Sequence, residues 1–201
     1  MDVVPRWHDP AVEVSVFWDI IDTARESSGP GKPFDQALAC YLATRSLQDI
    51  LEFQQRFDEV HAALYRWDVW AAAYLIGGGC SDDGFIDFRA GLIAQGRNWY
   101  QRVAASPDSL AGHPAVADAP DHPHSGPLFY EMVNYAAHDA FERVTGGKDS
   151  FYDAWSRYRG SRGHSDPSPA DMGEDFDFDD AQEMRRRLPR LSALYLRNVS
   201  T

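Results

Sequence analysis

The sequence predicts an all-α fold, an irregular helical bundle built from a single domain that spans residues 1–201. Apolar residues recur at intervals of three and four along most of the chain, which is the spacing of helices with one buried face. Glycine, proline and serine separate these stretches, and no convincing strand alternation accompanies them. The 201 residues, 44% of them apolar, are enough for a sizeable core.

The first part of the chain is predicted to hold a loose arm and three helices. Residues 1–14 form the arm, because two prolines interrupt it. A short amphipathic helix at 17–24 and a second helix at 35–44 follow, separated by a glycine-proline linker. Ser46 then begins a longer helix, with Asp49 at the position of a capping box.

The stretch 66–95 is predicted to contain a helix, a glycine turn and a second helix, and it holds the candidate functional site. Trp67, Trp70 and Tyr74 recur at helical spacing and could line an aromatic groove. The three glycines at 77–79 end the first helix, because glycine adopts left-handed backbone conformations without steric cost.

The second helix is predicted to begin after Ser81, which is a good N-cap residue. Asp82 and Asp83 would lie in its first turn, where carboxylates interact favourably with the helix dipole. Arg89 lies at the edge of its apolar stripe, and a half-buried arginine needs an acidic partner or an anionic ligand. The candidate acidic partners are Asp82, Asp83, Asp68 and Glu131.

Two interpretations of the 77–83 turn stay open. In the first, Ser81 and the aspartates only cap the helix. In the second, exposed amides at the helix start form an anion- or substrate-binding corner with Cys80 and Arg89. Cys80 is also a candidate nucleophile, because a helix start can lower a thiol pKa. Burial and nearby carboxylates oppose this, so we expect a partly buried, slowly reacting thiol.

A further helix is predicted over 128–144, and it carries a polar stripe beside its apolar face. Glu131, Tyr135 and His138 follow one another at offsets of four and three. Such a stripe is usually a solvated face. It could instead line a cleft in which Glu131 and His138 act as acid and base, so all three are candidate binding residues.

Two long loops are predicted at 112–127 and 160–178, from their proline, glycine, serine and aspartate content. The first loop is expected to be exposed, and no metal site is predicted there, because cysteine is lacking and the prolines disfavour a regular set of ligands. Its histidines are His113, His122 and His124. Asp179 or Asp180 begins the last helix, which Pro189 kinks or divides.

Three groups of residues recur together in a known family. The longest reads WDVWAAAYLIGGGCSDDGFIDFRAGLIAQG over 67–96, and the shorter ones read PDSL at 107–110 and LPRL at 188–191. They resemble a bacterial family catalogued as domain of unknown function 4240, over roughly residues 17–195. That family often has asparagine where Gly77 stands and a bulky aromatic where Gly91 stands.

The resemblance implies a recurring set of residues but no activity. Gly91 departs from the family pattern in the middle of a predicted helix, where glycine costs about 1 kcal/mol relative to alanine. We therefore expect Gly91 to mark close packing or a widened pocket.

Composition narrows the function classes. The formal net charge of −12 argues against nucleic acid and anionic membranes as partners. No signal peptide and no apolar run of membrane-spanning length is present, so we expect a cytoplasmic protein with Cys40 and Cys80 as free thiols. No cofactor is predicted, because no nucleotide-binding loop, dinucleotide fingerprint or zinc motif occurs.

Three classes of function remain, and a binding or regulatory helical module is favoured. Such a module would bind a small molecule or a peptide at the 77–83 turn and the aromatic groove. The first alternative is a small enzyme, with Asp82 or Asp83 as acid or base and Arg89 holding an anionic group. The second is a structural module that binds a protein partner through exposed apolar surface.

Overall fold

A computed structural model describes residues 10–118, 128–162 and 171–196, the side chains of 10–13 excepted. These residues are all-α and contain no strand, which confirms the predicted fold class. The α-helices are α1 (Pro10–Glu26), α2 (Phe34–Leu42), α3 (Leu47–Ala62), α4 (Trp67–Gly77), α5 (Asp82–Ala94), α6 (Arg97–Ala105), α7 (Pro114–Ala117), α8 (Ala136–Thr145), α9 (Phe151–Ser161), α10 (Ala181–Arg187) and α11 (Pro189–Tyr195). Two 3-10 helices are η1 (Pro107–Gly112) and η2 (Glu131–Tyr135).

The chain divides into two compact units, each formed from two separate stretches. The first unit joins residues 1–60 to 132–168, and the second joins 61–131 to 169–201. That the whole chain forms a single domain stays a prediction. The predicted arm is shorter than expected, because α1 already begins at Pro10, and residues 1–9 lie outside the described ranges.

The first unit is built from α1, α2, most of α3, α8 and α9. α2 packs against both α1 and α8, and α8 also contacts α9. Phe17 of α1 stacks on Phe53 of α3 with 5.1 Å between the ring centroids, and both side chains are buried. The predicted capping box is confirmed, because the Asp49 amide donates to the Ser46 hydroxyl and the Ser46 amide donates to the Asp49 carboxylate.

The second unit is built from α4, α5, α6, η1, α7, α10 and α11. α4 packs against α5, η1 and α11, and Phe85, Phe88 and Leu92 of α5 lie fully buried in the shared core. One face of α4 is less covered. Trp67, Trp70 and Tyr74 are only partly buried there, whereas the three alanines between Trp70 and Tyr74 are buried.

The PDSL and LPRL motifs meet in the second unit. The buried Asp108 carboxylate accepts hydrogen bonds from the Arg190 amide at 3.0 Å and the Leu191 amide at 2.9 Å. These are amides in the first turn of α11, which have no partner within the helix. Pro189 divides the last helix as predicted, since α10 ends at Arg187 and α11 begins at Pro189. The Asp180 carboxylate caps α10.

The prediction of a helix over 128–144 is wrong for its first half. Residues 128–130 are not helical, and η2 precedes α8. The physical reason is packing against α5. The Tyr130 amide donates to the Asp87 carbonyl at 3.0 Å, and the backbone of Leu128 passes so close to Gly91 that an added Cβ would lie 1.9 Å from the Leu128 oxygen. Gly91 therefore marks close packing.

The two predicted loops also contain helix. The 3-10 helix η1 reaches Gly112 and α7 follows, so the prediction of an exposed loop is wrong for residues 112–118. His122 and His124 lie outside the described ranges. His113 is buried: its Nδ1 accepts from the Ala115 amide, and its Nε2 lies 3.2 Å from the Gln95 Oε1. In the second loop α9 extends to Ser161, and residues 171–178 have no helix.

Candidate functional site

The 77–83 turn has the predicted backbone conformation. Gly78 and Gly79 have positive φ angles of 64° and 121°, so the chain leaves α4 through conformations that suit glycine. The Trp70 indole donates to the Cys80 carbonyl at 3.1 Å, which joins the turn to the aromatic face of α4. The N-cap prediction for Ser81 is confirmed, because its hydroxyl accepts from the Gly84 amide at 3.2 Å.

An aromatic ring that the sequence did not point to packs on this turn. The Phe129 ring lies so close to Gly77 that an added Cβ would be 2.9 Å from the Phe129 Cζ. The same ring packs against Phe88 with 5.2 Å between centroids. Gly77 therefore gives the ring room to lie directly on the helix backbone.

Arg89 does not have the acidic partner that the sequence suggested. It is 7% exposed, and its guanidinium donates to the carbonyls of His61, at 3.0 Å, and Phe85, at 3.3 Å. The guanidinium carbon lies 4.8 Å from the ring centroids of both Tyr65 and Phe85. No carboxylate in the described ranges lies within ion-pair distance of it, and burial lowers the pKa of Arg89 to about 10.

The acidic residues that the sequence suggested as partners of Arg89 have other positions and contacts. Asp68 instead pairs with Arg66 at 2.7 Å, while Asp82 and Asp83 are exposed in the first turn of α5. Burial raises the pKa of Asp87, and the charges of Glu131 and Asp83 raise it further. The charges of Asp83, Asp87 and Glu131 therefore act on one another, whereas the buried Arg89 guanidinium is held by carbonyl groups.

Cys80 lies in an environment that disfavours the thiolate. Its side chain is partly buried, and burial raises the pKa of the thiol to about 11, with the charges of Asp87 and Asp82 acting in the same direction. The helix start does not offset these effects. A partly buried Cys80 was expected from the sequence.

The aromatic residues of α4 form a continuous stack. The rings of Trp67 and Trp70 are nearly parallel, with centroids 5.5 Å apart, and Trp70 stacks on Phe85 at 4.7 Å. Tyr65 then stacks on Phe85 at 5.8 Å. Tyr74 follows Trp67 and Trp70 at helical spacing and is likewise only partly buried. We call the surface formed by Trp67, Trp70 and Tyr74 the α4 aromatic face.

Residues 171–180, which we call the acidic-aromatic segment, lie across the α4 aromatic face. The Phe178 ring contacts all three of its side chains, with centroid distances of 5.5 to 6.5 Å. The Met172 carbonyl accepts from the Trp67 amide at 3.0 Å, and the Tyr74 hydroxyl donates to the Asp179 carboxylate at 2.6 Å. The segment therefore follows α4 from its first residue to its last turn.

A second contact holds the segment to α10. The Arg187 guanidinium pairs with Glu174 at 2.9 Å and lies 4.2 Å from the centroid of the Phe176 ring. Phe176 in turn packs edge-on against Phe178 at 5.2 Å. These residues are not among those that the sequence predicts for the site. The alternation of aspartate and phenylalanine at 175–179 is the signal that could have identified them.

The remaining candidate residues, Tyr135 and His138, lie in the first unit. The 3-10 helix η2 interrupts the regular α-helical spacing that would place them on one helix face with Glu131. His138 lies between acids, with Nδ1 3.3 Å from Asp139 and Nε2 3.5 Å from Glu142. It therefore has two acidic neighbours on its own helix.

The described ranges contain no group of three or more histidine, cysteine or acidic residues that could hold a metal ion. In the same ranges, no helix combines the length and the apolar character that crossing a membrane requires.

Comparison with known proteins identifies the family. No match was found among curated proteins or among solved structures. A family model described as a protein of unknown function (DUF4240) matches residues 13–143. This range includes α4, the 77–83 turn and α5, whereas the acidic-aromatic segment and the LPRL motif lie beyond it. Because the match covers more than half of the 201 residues, the chain belongs to the DUF4240 family.

Proposed function

We propose that the second unit is a peptide-binding module whose binding surface is the α4 aromatic face, with the 77–83 turn at its edge. The observation that carries this proposal is the acidic-aromatic segment, which lies on that face in the manner of a bound peptide. It supplies one aromatic ring to the stack, one backbone hydrogen bond and one carboxylate.

The segment has the properties of a ligand more than those of a core element. It has no regular secondary structure, and most of its residues are exposed, while Phe176 and Phe178, two residues apart, are partly buried. By contrast, α10 and α11 anchor the chain in the core through Met184, Leu188 and Leu191, which are at most 1% exposed. Phe176 and Phe178 pack against this core only as partly buried residues, and the proposal requires that the segment leave α4 while these helices stay in place.

The chemistry of the face defines the class of peptide. Indole and phenol rings favour an aromatic side chain that packs against them, worth about 0.5–1.5 kcal/mol beyond area burial. The Trp67 amide is a helix-start donor without an intrahelical acceptor, so it suits a peptide carbonyl. The Tyr74 hydroxyl donates to a carboxylate. A short segment with alternating acidic and aromatic residues meets all three requirements.

The enzyme alternative has less support. It needs Arg89 to hold an anion, but that guanidinium is buried and bonded to two backbone carbonyls. It also needs a proton-transferring group, and Asp82 and Asp83 are exposed helix-start residues. We therefore place the module first.

The proposal is tested with a full-length variant in which both Phe176→Ala and Phe178→Ala are made, so that the built-in segment loses its aromatic contacts. A fluorescently labelled peptide with the sequence of residues 171–180 is titrated, and its anisotropy is measured. We expect saturable binding to the double variant and binding at least about tenfold weaker to the wild type, because the segment occupies the face.

A peptide with alanine at both phenylalanine positions is the matched control and should not bind. Circular dichroism establishes that the double variant keeps its helices. No saturable binding by the folded double variant, or equal binding of the two peptides, would show that the face does not recognise this class of peptide.

A further inference from the structure

We infer that the acidic-aromatic segment is a built-in competitor, and that the contact of Arg187 with Glu174 and Phe176 sets how readily the α4 aromatic face becomes available to a peptide from another molecule. The inference rests on the proposed function, since it concerns the regulation of the same surface. We call this contact the Arg187 clamp.

The clamp joins the segment to a helix that is fixed in the core. Arg187 is the last residue of α10, whose Met184 is buried, and the adjoining Leu188 is also buried. The Arg187 side chain is only 17% exposed, although Glu174 is 75% exposed. An arginine that lies on the Phe176 ring and also pairs with Glu174 restrains both the backbone and the aromatic residue of the segment.

Glu183 fixes the orientation of the arginine. Its carboxylate accepts from the Arg187 Nε at 3.0 Å, so the Nη2 group remains directed to Glu174. The neighbouring Arg186 also binds Glu183, at 2.6 Å, but it is 60% exposed and interacts with Glu174 only through charge attraction, without an ion-pair contact. Two adjacent arginines on α10 thus have different positions, and one of them contacts the segment.

The clamp has a measurable consequence for binding. A peptide from another molecule binds only when the segment has left the face. Its apparent dissociation constant is therefore the intrinsic dissociation constant divided by the fraction of open molecules. Weakening the clamp from the side of the segment raises that fraction and leaves Trp67, Trp70 and Tyr74 unchanged. Glu174→Gln is the smallest change of this kind.

The test is a titration of full-length Glu174→Gln with the labelled 171–180 peptide. We expect binding about threefold tighter than to the wild type, because an ion pair with one exposed member contributes only modestly. Asp175→Asn is the matched control, because it removes the same charge from the next residue, outside the clamp. It should leave the affinity unchanged.

The outcomes separate this inference from the proposed function. If the Phe176→Ala, Phe178→Ala variant binds the peptide and Glu174→Gln binds no better than Asp175→Asn, the clamp does not regulate the face, although the face binds peptides. If the double variant does not bind either, the proposed function is wrong and the inference falls with it. Tighter binding by Glu174→Gln than by Asp175→Asn and the wild type, together with binding by the double variant, supports both the proposed function and the role of the clamp.

Discussion

At the scale of single residues, glycine positions report how closely the backbones approach. Gly91 lies in α5, where the Leu128 backbone occupies the space that a side chain would need. Gly160 lies in α9, and nothing is within 4 Å of a Cβ added there. The two helical glycines therefore differ in packing and not in secondary structure.

We predict that Gly91→Ala lowers the free energy of unfolding by about 2–3 kcal/mol, because the 128–130 backbone must move away from α5. Gly160→Ala is the control and should raise it slightly, since alanine favours a helix. Urea denaturation followed by circular dichroism measures both. Equal effects of the two substitutions would contradict the close approach at Gly91.

A second prediction concerns the two thiols. At neutral pH, iodoacetamide should modify Cys80 more slowly than Cys40, because burial raises the Cys80 pKa to about 11 and leaves little of the reactive thiolate. Mass spectrometry of the native protein after timed labelling measures both rates. A Cys40→Ser variant should then show almost no labelling on the same time scale. Rapid, complete modification of Cys80 would contradict the account and favour a covalent mechanism.

Some residue roles follow from the sequence and others do not. The caps formed by Ser46, Ser81 and Asp180 could be predicted, because the partner amides lie two or three residues away along the chain. The surroundings of Arg89 could not be predicted. Its partners include the His61 carbonyl, 28 residues earlier, and such contacts depend on how helices pack.

At the scale of elements, the last helix depends on a distant residue. α11 has seven residues and begins with proline, so its first turn has few partners of its own. Asp108, which lies in η1, accepts hydrogen bonds from two amides of that turn. Two motifs that are about 80 positions apart in the sequence are joined by this one carboxylate.

We predict that Asp108→Ala lowers the free energy of unfolding by about 2–3 kcal/mol, because it removes a buried cap and leaves two backbone amides without an acceptor. Asp180→Ala removes the exposed cap of α10 and should cost about 1 kcal/mol. Thermal and urea denaturation of both variants measure the difference. An Asp108→Ala effect no larger than that of Asp180→Ala would show that α11 does not depend on the buried cap.

Helix prediction from the sequence fails at residues 128–130. The apolar spacing at 128–144 favours one helix, yet residues 128–130 bind α5 through the Tyr130 amide, and η2 follows. At residues 128–130, a hydrogen bond to α5 thus takes the place of hydrogen bonds within a helix. The turn at 77–83 was predictable, because its glycine conformations and its cap depend on neighbouring residues alone.

At the scale of the whole molecule, the sequence predicts the all-α class but not how the chain is divided. Each compact unit combines an early stretch of the chain with a late one, so its composition cannot be read from the order of elements. The candidate site shows the same limit. Its aromatic helix was identified, whereas the segment that lies on it comes from about 100 residues later.

The proposed function requires that the acidic-aromatic segment leave the α4 aromatic face while the second unit stays folded. Native-state hydrogen exchange of the Trp67 amide tests this most directly, because that amide donates to the Met172 carbonyl. The amide of Ala73, inside the same helix and buried, is the internal control. We predict that Trp67 exchanges through an opening of lower free energy than Ala73 does.

Because a helix end can also fray, Glu174→Gln provides the decisive comparison. We predict that this substitution accelerates exchange at Trp67 and leaves Ala73 unchanged, since it weakens the Arg187 clamp and not α4. If Trp67 and Ala73 instead exchange with the same opening free energy, and Glu174→Gln changes neither, the segment is a fixed part of the core and the account is wrong.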